Sequence, residues 1–175
     1  MLIVKSSVLS KFNNKLLSII GDINNFYLLN FKIMAKILIV YYSRTGTTKK
    51  VAEVLSQKLG AEIEEIKDTV DRKGVLGYLT SGSDAMKKRF TKIEAVKSNP
   101  AGFDTVIIGT PIWGWNMSTP VRTYLTEQKN NFKTVAFFCT MGGSGDEKAF
   151  KEMGEIIGKK PLAILALKTK EVAQN

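Results

Sequence analysis

Three short segments of this chain concentrate residues able to hold a ligand. The first is Ser43-Arg44-Thr45-Gly46-Thr47-Thr48, which puts four hydroxyls, a guanidinium and a glycine into six residues. It stands between an apolar run and a stretch of helical periodicity. A helix N-terminus there offers unpaired N–H groups and the positive end of its dipole. Gly46 lets the backbone approach closely, and the hydroxyls add donors, so the segment suits a phosphate. Helix capping alone also favours Ser and Thr, but needs fewer of them. The lysine and spacing of a nucleotide P-loop are missing, as is the dinucleotide GxGxxG pattern. The second segment, Thr110-Pro111-Ile112-Trp113-Gly114-Trp115-Asn116, flanks a glycine with two tryptophans. Indoles just past a buried strand either pack in the core or offer a face to a flat ligand. The third, Thr140-Met141-Gly142-Gly143-Ser144-Gly145-Asp146, suits a backbone that turns tightly and presents its N–H and C=O groups.

Composition narrows the chemistry. The 175 residues suffice for one domain with a core. With no histidine the commonest metal ligand and the usual general base are missing, which argues against a metal hydrolase or a Ser-His-Asp enzyme. Reactive chemistry is then expected from a cofactor. A single cysteine excludes a disulfide framework and fits a cytoplasmic protein. Cys139 ends an apolar run and reads as core. The net charge of +10 invites a nucleic-acid partner. The basic residues are spread along the chain without an Arg-rich tract or interleaved aromatics, so no nucleic-acid partner is expected.

The elements that must position the three segments follow from periodicity. Residues 1–33 form an extension with four lysines against one aspartate, which leaves +7 to residues 34–175. No apolar run in the extension reaches the roughly 18 residues of a membrane span, and no secretory signal fits. Met34 is the expected natural start. Alternatively, Val8, Leu9, Phe12, Leu16, Ile19 and Ile20 form an amphipathic segment. From Met34 onward strands and helices alternate: strand Ile37–Tyr42, helix Thr47–Leu59 ending at Gly60, strand Ala61–Ile66, and a helix near Leu76–Phe90. Strand Thr105–Gly109, helix Pro120–Glu127, strand Val135–Cys139, helix Asp146–Ile157 and strand Leu162–Leu167 complete the domain. This rhythm predicts an α/β, three-layer, doubly wound sheet of five parallel strands. Ligands then bind beyond the carboxyl ends of the strands, where the three segments lie.

Tyr41-Tyr42-Ser43-Arg44-Thr45-Gly46-Thr47-Thr48 resembles the FMN phosphate loop [ST]-x-T-G-x-T of the flavodoxin family. The resemblance extends over residues 34–175 and implies the strand order 2-1-3-4-5 and an FMN cofactor. It assigns the phosphate to Ser43, Thr45, Gly46 and Thr48, with Arg44 and Thr47 in the same nest. It puts Thr110, Pro111, Ile112, Trp113 and Gly114 against the flavin ring, with Trp113 as the stacking residue. It puts Thr140, Met141, Gly142, Gly143 and Gly145 at the ring edge. Three departures from the family stand out. The third segment lacks the tyrosine that stacks on the outer flavin face in many electron carriers, and so resembles flavodoxin-type quinone and FMN reductases. The domain is basic, whereas the carriers are usually acidic. Only Lys168–Asn175 follows the last strand, where the family places a helix, so the extension or a second chain, as in a homodimer, is expected over that face. The stretch from Asp71 through Tyr78 to Phe90 resembles a subset of bacterial and archaeal flavodoxin-like proteins, with Tyr78 either at the open flavin face or buried. The functions implied are FMN-dependent electron transfer with a redox partner protein or small-molecule acceptor, an NAD(P)H-dependent quinone or FMN reductase, or a flavin-free binding module.

Overall fold

The computed structural model describes residues 36–172; expectations for residues 1–33 lie outside that range. The apolar runs form strands because their alternate side chains find a cover on both faces. β1 (Ile37–Tyr41), β2 (Glu62–Glu65), β3 (Thr105–Trp113), β5 (Thr134–Met141) and β6 (Ile164–Lys168) pair in parallel in the order β2-β1-β3-β5-β6. This is the predicted order 2-1-3-4-5. One addition is β4 (Asn116–Met117), which folds back antiparallel on the end of β3.

The strand alternation sorts the core into two halves. Leu38, Val40, Val106, Ile108, Val135, Phe137 and Cys139 face one side. There they meet Val121, Tyr124 and Leu125 of α3 (Thr119–Gln128) and Ala149, Phe150 and Met153 of α4 (Asp146–Ile157). Ile39, Tyr41, Ile107, Ala136, Phe138, Leu165 and Leu167 face the other side. Val51, Ala52, Val54, Leu55 and Leu59 of α1 (Thr47–Leu59) pack there. The face expected to lack a helix does not expose its apolar residues: Leu165 and Leu167 are buried, and Val172 joins them from the turn after β6.

Several boundaries differ from the sequence reading. β3 runs to Trp113 rather than Gly109, because pairing with β5 continues through Thr110 and Pro111 and pairing with β4 takes in Ile112 and Trp113. β5 runs to Met141 rather than Cys139, since β6 pairs with Thr140 and Met141. α2 spans Gly74–Met86 and stops short of Phe90. Lys88 there adopts φ 53°, which ends the helix. The inward face of α2 is made of Gly77, Ser81 and Ala85, three small residues one turn apart. Its large apolar residues Val75, Leu76, Tyr78, Leu79 and Met86 stand exposed.

Buried charges on this side are paired, as the low dielectric demands. Arg122 of α3 donates two hydrogen bonds to Glu152 of α4, at 3.0 and 2.8 Å, and Lys88 reaches the same carboxylate at 2.8 Å. Burial alone would raise the carboxyl, but Arg122 and Lys88 outweigh it and hold Glu152 below its ordinary value of 4.5. A lowered pKa means that the pair stabilises the fold fully above pH 4.5 and loses its contribution as pH falls through the lowered value. Thermal melts from pH 7 to pH 3 should therefore show a steeper acid loss in wild type than in Glu152→Gln. At neutral pH that variant should be less stable by about 1–3 kcal/mol. Parallel acid profiles would remove Glu152 from the acid response. A second expectation concerns Gly109 on the central strand, where a Cβ would overlap the Phe138 ring. Gly109→Ala should cost about 1–3 kcal/mol by overpacking, read as a lowered midpoint in denaturant.

Candidate functional site

The site begins where α1 leaves β1. Gly46, at φ 86°, turns the chain so that the first N–H groups of α1 point out beyond the sheet edge. No side chain caps this helix. The Ser43 hydroxyl is buried and finds no hydrogen-bond partner among the described residues. A buried hydroxyl without a partner costs free energy, so a cradle holding one beside open N–H groups is matched to a ligand acceptor. Arg44 is half-buried, Thr45 exposed, and Gly46 has open space where a Cβ would stand. This donor set fits a phosphate.

The three segments meet. Thr48 of the first and Thr140 of the third share a hydrogen bond between their hydroxyls at 2.8 Å. The third segment presses on the second at Gly145, whose φ is 116° and whose Cβ, if present, would lie 2.7 Å from Trp115 Cα. The second segment is a two-residue hairpin between β3 and β4. Gly114 and Trp115 both have positive φ, 51° and 61°, as a type I′ turn requires. Glycine accepts this readily, while tryptophan is a rare occupant of the left-handed region. The Asn116 amide braces the turn by donating to the Gly114 carbonyl at 2.5 Å.

Beside the hairpin lies an apolar cavity of about 610 Å³. Its walls are the hairpin tip with Ile112, Trp113, Gly114 and Trp115, the third loop from Met141 to Ser144, and α2. The two tryptophans differ. Trp113 is buried, with Tyr42 edge-on at 5.5 Å and the Arg72 guanidinium over its ring at 5.5 Å. Trp115 is 61% exposed and presents the free indole of this turn. Arg72 is itself buried and held by Asp68 at 2.5 Å and Asp84 at 3.0 Å. Burial, with the negative charge of Asp68, pushes the Tyr42 phenol up to about 12, so it stays protonated at neutral pH.

A family model described as Flavodoxin matches residues 36–165, which covers the whole phosphate loop and both later segments. The chain belongs to the flavodoxin family. The solved structures agree with this flavodoxin-family assignment. A flavoprotein from Lactobacillus acidophilus NCFM in complex with FMN is 29% identical with a TM-score of 0.67, covering 79% of this chain and 96% of that one. A flavoprotein from Bacteroides eggerthii is 26% identical with a TM-score of 0.65, covering 79% and 93%. No curated protein matches the chain.

Within this flavodoxin-family domain, the expected site residues divide. Ser43, Arg44, Thr45, Gly46 and Thr47 form the turn from β1 into α1, and Thr48 joins it to Thr140. Ile112, Trp113, Gly114, Met141, Gly142 and Gly143 line the cavity. Thr110 points elsewhere: it is buried and accepts from the Ser118 N–H at 3.0 Å, which pins the hairpin. Pro111 belongs to the ladder of β3 and β5. Tyr78, expected either at the open face or buried, is exposed and lines the cavity, whereas sequence reasoning missed the rest of the α2 wall, Leu79, Gly82, Ser83 and Met86, and gave no role to Trp115 or Ser144. The signal for α2 was present in Gly77, Ser81 and Ala85, a small-residue stripe that turns the large side chains outward. Gly145→Ala should strain the backbone and push the third loop off Trp115. A loss of about 1–3 kcal/mol in stability, with altered tryptophan near-ultraviolet circular dichroism, is expected; an unchanged spectrum would refute the contact.

Proposed function

We propose that the protein is an FMN-dependent electron-transfer flavoprotein. The observation that carries this reading is the buried Ser43 hydroxyl, without a partner among the described residues, beside the open N-terminus of α1, in a loop that reaches the apolar cavity through Arg44 on Tyr78. FMN, when bound, supplies the redox chemistry. Ser43, Thr45, Thr47 and the backbone of Gly46 would hold its phosphate, while Arg44 adds charge. Trp113, Gly114, Trp115 and the loop Met141–Ser144 would line the ring and exclude water. The crystallised FMN complex of the Lactobacillus acidophilus flavoprotein supports the same cofactor here. Trp115 adds a further argument, since strained backbone at a cavity wall often marks a functional site.

The breadth of the cavity and the absence of an aromatic in the third loop favour a second reading, an NAD(P)H-dependent quinone or FMN reductase. Electrons would pass to a redox partner protein or a small-molecule acceptor. Excess lysine and arginine on the domain suits an acidic partner. Among the described residues no helix is long and apolar enough to cross a membrane; a cytoplasmic location is part of the proposal.

Purified protein should be yellow, or take up one added FMN per chain. Ser43→Ala should weaken FMN about tenfold or more, since a hydrogen bond to a charged group is lost. Riboflavin, which has no phosphate, should bind both proteins alike. Protein that stays colourless with FMN in excess would falsify the reading. Rapid bleaching by NADPH followed by reoxidation with a quinone selects the reductase, and slow bleaching selects the carrier.

A further inference from the structure

The third loop has glycines and a serine where an aromatic wall would serve a planar ligand. α2 brings one to the same cavity. Tyr78 is 62% exposed and lines the cavity opposite no competing aromatic of the third loop. We propose that Tyr78, steadied by Arg44, is an aromatic wall of the flavin site, supplied by α2 in place of the third loop. The inference rests on the FMN reading above.

Two sets of contacts support it. The first ties Tyr78 to the phosphate cradle. The Arg44 guanidinium lies over the Tyr78 ring, 5.2 Å from its centroid. A guanidinium that stacks on an aromatic face keeps its N–H edges free for an anion. One side chain therefore reaches from the loop that would hold the phosphate to the wall that would face the ring. The second set fixes α2 in place. Gly77 packs so closely on the Arg72 backbone that a Cβ has no room. Ser81 Oγ donates to the Gly77 carbonyl at 2.5 Å. Arg72, anchored by Asp68 and Asp84, also lies over Trp113. The hairpin wall and the α2 wall thus take their positions from the same buried guanidinium. Tyr78 follows Gly77 directly, so its Cα is held while its exposed ring lies under Arg44. Leu79 and Met86 extend the same wall with apolar surface.

Such a ring stacks on a flavin and quenches its fluorescence. The test compares wild type with Tyr78→Phe, Tyr78→Leu and Tyr78→Ala, each titrated with FMN and with riboflavin by fluorescence. Tyr78→Phe should behave as wild type. Tyr78→Leu, which keeps the helix and its apolar surface, and Tyr78→Ala should weaken both flavins by about five- to tenfold. In both, the fluorescence of the bound flavin should rise. Arg44→Gln isolates the second contact when riboflavin is the probe, because riboflavin has no phosphate. It should weaken riboflavin about two- to threefold in the Tyr78 background and leave it unchanged in the Tyr78→Ala background. Leucine and alanine variants that bind both flavins with unaltered affinity and fluorescence overturn the proposal and leave the FMN reading standing. A wild type that takes up neither flavin overturns both.

Discussion

Chain direction at the middle of the sheet governs everything built on its carboxyl edge. β1 and β3 lie side by side in parallel, yet α1 packs on one face while α3 packs on the other. The chain must part after these two strands, and the parting leaves a crevice that no described element fills. Helix α1 opens that crevice on one flank with its unpaired N–H groups. The hairpin closes the other flank. Residue chemistry decides what the crevice holds, but the divergence of the two connections decides that it exists.

Polar groups in the interior serve the edges of this crevice more than the stability of the sheet. Arg72 joins the segment after β2 to α2 through Asp68 and Asp84, and touches the hairpin through Trp113. Thr110 pins the start of α3 through Ser118, and Thr48 meets Thr140 across the floor. The Arg72 and Thr48 contacts connect segments that share no hydrogen-bonding ladder, and the Thr110 contact reinforces the short ladder of β3 and β4. Loops held by side chains in this manner keep a fixed shape without a continuous strand or helix, at a desolvation cost that close pairing offsets. Arg122 and Glu152 do the same for two helices, away from the crevice.

Much of this was legible beforehand, for physical reasons that differ by element. Central strands such as Ile37–Tyr41 announce themselves because burial on both faces demands unbroken apolar residues. Helix α1 was legible from its spacing and its terminal Gly60, which takes φ 63°. Strand ends were less so. Nothing local says that Thr110–Trp113 is ladder and not loop, because its partners lie elsewhere in the chain: the end of β5 for Thr110 and Pro111, and the two-residue β4 for Ile112 and Trp113. α2 was placed but its role was hidden. A helix whose large apolar residues face outward looks like a core helix in one dimension, and only the small-residue stripe betrays the reversal. The distinction between Trp113 and Trp115 was likewise beyond a linear reading. It depends on a left-handed turn that inverts which indole meets solvent.

Sulfur is distributed unevenly between the core and the cavity wall. Cys139 is fully buried on the ladder between β3 and β6, and burial, aided by Asp146, pushes its thiol up to about 12. It remains a protonated thiol, closed to the thiolate chemistry by which peroxide attacks cysteine. Among the described residues, the sulfur-bearing side chain most open to solvent is Met86, 54% exposed on the wall of the cavity. Oxidative wear on this domain would therefore fall first on a methionine, as a sulfoxide that cellular reductases can reverse, and at the cavity rather than in the core.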